Sequence, residues 1–247
     1  MQKTIFLDIE TTGLRHEDGH KIIEISVVEK EGEQITRAYQ LYINPKRKID
    51  AGAFEIHGIS DAFLKDKPTF DEVAEDFFNC INGATLVIHN APFDLGFLDS
   101  ELAQLKKGYP PISQVCTVVD TLALAKELFP FKKTKGRRFP PRGTYTLDAL
   151  CKRFRIDNSA RNKHEALMDA QILVNVYSAL IKEKEKQKSS PRQLQQHVSM
   201  YRPGIFKPQG RKISQKDAVR IFKKSVIDAN KQESTTNNDR PNFGPKQ

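Results

Sequence analysis

The run "TIFLDIETTGL", residues 4–14, decides how the rest of the chain is read. Ile, Phe and Leu lead into two acids, Asp8 and Glu10, one residue apart. On a strand successive side chains alternate between faces, so Asp8 and Glu10 share one face while Leu7 and Ile9 share the other. Two like charges beside a hydrophobic core repel each other and are costly to desolvate. Such a pair demands a positive partner.

Outward from this strand the pattern is layered. Further strands are predicted at "IIEISVVE" (22–29) and "TRAYQLYI" (36–43), and the short polar links between the three runs predict an antiparallel meander. "DEVAEDFFNCI" (71–81) has apolar residues at helical spacing, and "ATLVIH" (84–89) reads as a buried strand. A helix is expected from Pro92 to Lys107, with Asn90 as its cap and Pro92 in its first turn. Others are expected over 117–129, 145–154 and 165–183. Strands first and strand–helix alternation afterwards predict an α/β fold, a mixed sheet flanked by helices.

The remaining acids fall at the ends of these elements. "VIHNAPFD" puts Asp94 just inside a helix start after an apolar strand, at the carboxyl edge where open α/β sheets place their sites. "NKHEALMDAQ" supplies His164 and Asp169. On one regular helix five residues would turn these two about 140° apart, so His164 is expected on the lead-in loop and Asp169 on the helix. Ala166 and Ala170 are small enough to let that helix lie close to the sheet. Four carboxylates suit hard divalent cations such as Mg²⁺ or Mn²⁺, and can hold two of them roughly 3.5–4 Å apart. Such a pair activates water and neutralises charge on a phosphodiester, and His164 is suited to take the water's proton. The positive partner of Asp8 and Glu10 is therefore read as metal.

Bulk properties locate the rest. The net charge of +9 comes from 40 Lys+Arg against 31 Asp+Glu. Residues 182–247 hold 16 basic and 6 acidic side chains, so residues 1–181 hold 24 and 25, a net of −1. The basic character belongs to the tail, which suits nucleic acid or an acidic partner surface. A catalytic domain is expected over 1–185 and a flexible basic tail over 186–247, with an amphipathic docking helix at 214–230. Within the body "KKTKGRRFPPRG" (132–143) carries six basic residues and no acids and reads as an exposed loop. No apolar run approaches the roughly 18 residues of a membrane span. Cys80, Cys116 and Cys151 fit no zinc spacing, so reduced core thiols and a cytoplasmic location are expected.

With these residues in view the sequence resembles a known family. "DIETTGL", "HNAPFD" and "HEALMDA" are similar to the three motifs of the DEDDh 3′→5′ exonucleases, which have a ribonuclease-H-like fold. "KIIEISVVE", "IHGISDAFLKDKPTF", "VIHNAPFD" and "LDALCKRFRIDNSARNKHEALMDAQILVNVY" look more closely like the epsilon (proofreading) subunits of bacterial DNA polymerase III. The resemblance spans about residues 3–181. It implies that Asp8, Glu10, Asp94 and Asp169 are metal ligands and His164 the general base. It also implies that Asp8, Glu10, Asp169 and Thr11 meet the terminal nucleotide, and that His57 contacts the substrate's 3′ end. The implied substrate is a single-stranded or frayed DNA 3′ end. The implied partners are the polymerase catalytic subunit, held through the C-terminal tail, and the sliding clamp, whose binding motif "QHVSMY" (196–201) resembles.

Two features depart from the pattern: Gly52 stands where epsilon subunits commonly have an acid, five residues before the histidine of "HGI", and the basic loop 132–143 is longer than the usual link into "LDALC". Two other readings share the sequence, an RNA-trimming exonuclease of the same family and a non-catalytic adaptor that binds through its tail. Substrate preference separates the first, and the presence of all five motif residues weighs against the second.

Overall fold

In a computed structural model of the chain, residues 3–32, 34–131, 139–159 and 166–189 are described. Strands β1 (Thr4–Thr11), β2 (Ile22–Glu31) and β3 (Gln34–Tyr42) form the expected antiparallel meander. Strands β4 (Thr85–Ile88) and β5 (Thr117–Asp120) add in parallel beyond β1, giving the order β3-β2-β1-β4-β5. The sheet is mixed, and the strand carrying Asp8 and Glu10 is its centre.

Eight helices are described: α1 (Ala51–His57), α2 (Asp61–Leu64), α3 (Phe70–Ile81), α4 (Ala91–Gln104), α5 (Ile112–Val115), α6 (Thr121–Leu128), α7 (Leu147–Phe154) and α8 (Ala166–Ser189). The period of two along β1 sorts them into two layers. Ile5, Leu7 and Ile9 pack with Phe77 and Phe78 of α3 and Phe97 and Leu98 of α4. Phe6 packs on the opposite face with Val28 and Val87 and with Leu150 of α7 and Leu173 and Val176 of α8. Each fully buried side chain of this size contributes about 1.5–3 kcal/mol, so both faces of β1 are anchored by burial. Asp8 and Glu10 continue the Phe6 face, and α8 covers them.

Several expectations need correction. The helix expected over 117–129 is two elements: Thr117–Asp120 pairs with β4 as strand β5, and α6 begins only at Thr121. Asp120 makes the break, since its Oδ1 accepts the Leu122 backbone N–H at 2.9 Å and caps the helix. Asn90 does occupy the cap position of α4, with Pro92 in the first turn, but no side-chain cap bond forms. It is left-handed, with φ 71° and ψ 49°, and its backbone N–H donates to Asp120 Oδ1 at 3.1 Å. Helix α4 stops at Gln104, short of the expected Lys107. Helix α8 instead runs past 183 to Ser189; its last turns dock on α6 through Gln187 Nε2 to the Leu128 carbonyl, 3.3 Å, and Lys184 to Glu127, 3.5 Å. Helices α1, α2 and α5 were not foreseen. All three cysteines are free thiols, Cys116 and Cys151 buried. Residues 132–138 of the basic loop and the whole of 190–247, including the expected helix 214–230 and "QHVSMY", lie outside the described residues. No helix among the described residues is long and apolar enough to cross a membrane.

Gly52 sits exposed within α1, where an added Cβ would meet nothing within 4 Å. Replacing a glycine by alanine where the backbone angles suit both restricts the unfolded chain and stabilises by roughly 0.4–1 kcal/mol. Gly52→Ala should therefore stabilise the chain by about that amount, read as a higher denaturant midpoint at unchanged slope. An unchanged or lower midpoint would show that the position is constrained by something the open space does not reveal.

Candidate active site

Three carboxylates converge. One oxygen each from Asp8, Glu10 and Asp169 lies within 4.8 Å of the others. Strand alternation brings Asp8 and Glu10 to one face, and Asp169 meets them from the first turn of α8. Ala166 and Ala170 are both fully buried, which lets α8 approach the sheet as the sequence reading required. The fourth acid, Asp94, is 3% exposed in the first turn of α4. It lies outside the tightest trio, and its carboxylate accepts the backbone N–H of Ile9, between Asp8 and Glu10.

The electrostatics follow from this crowding. Burial holds the Asp8 carboxyl well above the usual carboxylate range, and the charges of Asp94, Asp169, Glu10 and Glu24 push it further up. Asp94 is raised as well, chiefly by burial, against the lowering effect of its two backbone N–H bonds. Alone, the cluster repels itself. All its donors are hard oxygens, and a divalent cation set among them would relieve the repulsion, so these residues fit the metal that the sequence reading implied.

The loop after β1 shapes the rim. The β1–β2 register shifts between Glu10 and Thr11, a bulge that redirects the chain just past the acids. Thr11 is buried and its hydroxyl donates to the Gly13 carbonyl at 2.7 Å. Gly13 has no room for a side chain, because a Cβ there would strike the His20 ring. His20 Nδ1 lies 3.0 Å from the Thr12 hydroxyl and its Nε2 3.5 Å from Asp50, the cap residue of α1. The Asp50 backbone N–H donates to the Thr12 carbonyl at 3.0 Å, so α1 is fastened to the β1–β2 turn. His57 ends α1, 7% exposed, with Nδ1 accepting the Ile59 backbone N–H at 3.0 Å. His164 lies outside the described residues.

Two residues were missed in the sequence. Glu24 is fully buried on β2, directly opposite Glu10, and accepts Gln40 Nε2 at 2.7 Å and the Ser26 hydroxyl at 3.0 Å. Its signal was available: an acid between Ile23 and Ile25 in a buried strand needs a reason. His89 follows β4 on the α8 side of the sheet. Its Nδ1 lies 2.9 Å from the Thr121 hydroxyl, the ring donates to the Tyr145 carbonyl, and burial pushes its pKa down.

A mixed five-stranded sheet whose central strand and covering helix bring three carboxylates together is the ribonuclease-H-like arrangement, with an acidic cluster able to hold a divalent cation. The chain belongs to the exonuclease family (RNase_T), whose model matches residues 5–177. It is 48% identical over 183 residues to the DNA polymerase III subunit epsilon of Escherichia coli (strain K12), covering 72% of this chain and 71% of that protein. Exonuclease X in complex with 5′-overhanging duplex DNA is similar at 26% identity and TM-score 0.53, covering 75% of this chain and 93% of that one. The nuclease domain of 3′hExo, a DEDDh family member bound to rAMP, shares the fold at 17% identity and TM-score 0.58, covering 80% of this chain and 98% of that one.

Proposed function

We propose that the chain is the proofreading 3′→5′ exonuclease of a bacterial replicative DNA polymerase, releasing nucleoside monophosphates from single-stranded or frayed DNA ends. The observation that carries this reading is the meeting of Asp8, Glu10 and Asp169 within 4.8 Å in a chain 48% identical to an epsilon subunit. Asp8, Glu10, Asp94 and Asp169 would hold two Mg²⁺ or Mn²⁺ ions. Bound there, the ions lower the pKa of a water and neutralise charge on the phosphodiester.

The chain's own residues do the rest. Asp8, Glu10 and Asp169 set the place of the scissile phosphate, while Thr11 and His57 flank the terminal nucleotide. His164 accepts the proton of the attacking water as its oxygen bonds to phosphorus. The bond to the leaving 3′ oxygen breaks, and that oxygen takes up a proton. Unpairing costs least at a mismatch, so a site that accepts only an unpaired end selects errors. We assign residues 1–185 to the exonuclease unit and 186–247 to a tail that tethers it to the polymerase catalytic subunit and the sliding clamp, raising its concentration at the primer end. The cytoplasm is the matching location.

The test offers 3′-labelled single-stranded DNA, a mispaired primer–template and single-stranded RNA in Mg²⁺, each with a chelator control. Metal-dependent release of monophosphates, faster from both DNAs, is expected. Preference for RNA would make the chain a trimming exonuclease, and no cleavage in any buffer would leave an adaptor or an exonuclease that works only with its polymerase.

A further inference from the structure

Helix α1 carries His57 yet is scarcely held by packing. His57 is its one buried side chain, and Phe54 and Ile56 are 45% and 47% exposed. A helix of seven residues has little stability of its own, and without a buried apolar stripe it gains little from the core. Polar links at its start must therefore set where it stands. They run to the β1–β2 turn. The Asp50 backbone N–H donates to the Thr12 carbonyl at 3.0 Å. Thr12 is tied in turn to the start of β2: its N–H donates to the Lys21 carbonyl at 2.8 Å, and its hydroxyl accepts the Lys21 N–H at 3.0 Å.

His20 joins the same two residues through its side chain. Its ring lies against Gly13, where a Cβ could not stand, and is 11% exposed. Nδ1 is 3.0 Å from the hydroxyl of the fully buried Thr12, and Nε2 is 3.5 Å from the Asp50 carboxylate. A carboxylate only accepts, so Nε2 presents a proton to it. Asp50 occupies the cap position of α1, yet its side chain makes no cap bond. A residue type well suited to closing a helix start is thus set beside the histidine instead. We propose that His20 is a positioning residue: it bridges Thr12 and Asp50, fixes the start of α1, and so holds His57 where the terminal nucleotide meets it. The inference rests on the reading that Thr11 and His57 flank that nucleotide. Thr11 belongs to the same turn, its hydroxyl donating to the Gly13 carbonyl at 2.7 Å, so one turn sets both groups. His20 acts through these neighbours and not on the reacting atoms.

The test titrates thymidine 5′-monophosphate, the product a terminal thymidine would leave, into the full chain in Mn²⁺. His20→Ala should weaken its binding about five- to tenfold, because apparent affinity falls with the fraction of molecules whose α1 is in place. In a His57→Ala background the same substitution should cost less than about twofold, since residues acting through one another are not additive. Asp50→Ser gives α1 a capping side chain and takes away the partner of Nε2. It should weaken the mononucleotide about threefold, the size of one exposed polar contact, without lowering the thermal midpoint. Asp50→Asn, whose amide oxygen still accepts, should restore binding. Unchanged binding in His20→Ala, or equal losses with and without His57, would overturn the positioning role. Should His20→Ala fail to fold, Asp50→Ser decides alone, and unaltered affinity there overturns the role. A wild-type chain that neither binds the mononucleotide nor releases monophosphates from DNA would instead overturn the exonuclease reading, and this inference with it.

Discussion

Asp8→Asn should lower the rate of 3′-end hydrolysis at least about a thousandfold while making the metal-free protein more stable. Asparagine keeps the shape of the side chain and removes the charge on which the cluster centres. The loss of rate follows because an ion held at such a site is worth several kcal/mol of transition-state stabilisation. The gain in stability follows from the sign of the Asp8 shift. Its folded pKa is raised by burial and by Asp94, Asp169, Glu10 and Glu24, so the folded state binds this proton more tightly than the unfolded chain does. The stabilisation from that protonated carboxyl is complete below about pH 4 and is lost as pH rises through the raised value. In chelator the wild-type chain should therefore lose stability across that window, and Asp8→Asn should show a shallower slope. Adding Mg²⁺ should reverse the order. Thermal melts across pH with and without metal test this, and a variant that melts lower than wild type in chelator would contradict the electrostatic account.

His164→Ala should lower the rate by about 10²–10⁴-fold, the range for a lost general base, while Mn²⁺ binding and single-stranded DNA binding change by less than about twofold. The pH profile gives a second signature. A histidine base acts only when neutral, so the wild-type rate should fall on the acid side of its titration, and the variant's residual rate should lack that limb. Loss of metal or DNA binding in step with activity would make His164 a structural residue.

How far the sequence could be read depended on how local each signal was. The alternation Phe6-Leu7-Asp8-Ile9-Glu10 carried its two faces openly, and burial on the sheet respects them residue by residue. The helical turn separates Asp169 from His164 without tertiary information, and Asp169 does lie in the first turn of α8. Strand β5 was hidden for a physical reason: four residues are too few to display a period, and the apolar residues of α6 continue a helical spacing through it. Helix α1 was hidden because its Phe54 and Ile56 point substantially outward, 45% and 47% exposed, so its apolar residues mark no buried stripe. Glu24 stands out in the sequence as an acid between Ile23 and Ile25, but what it faces, Glu10 across the β1–β2 ladder, is a matter of strand pairing. That Asp8, His89, Lys126, Tyr145 and Asp169 line one cleft of about 530 Å³ was beyond any linear reading, since β4, α6 and α8 must first fold around β1.

Titration calorimetry of Mn²⁺ into the chelator-treated full chain, beside its Asp8→Asn variant, tests most directly whether these acids are a metal centre. Saturable binding to the wild type that is abolished or weakened at least tenfold in the variant is the predicted result. Equal binding by both proteins, or none by the wild type, would contradict it and remove the ground for metal-dependent exonuclease chemistry at this site.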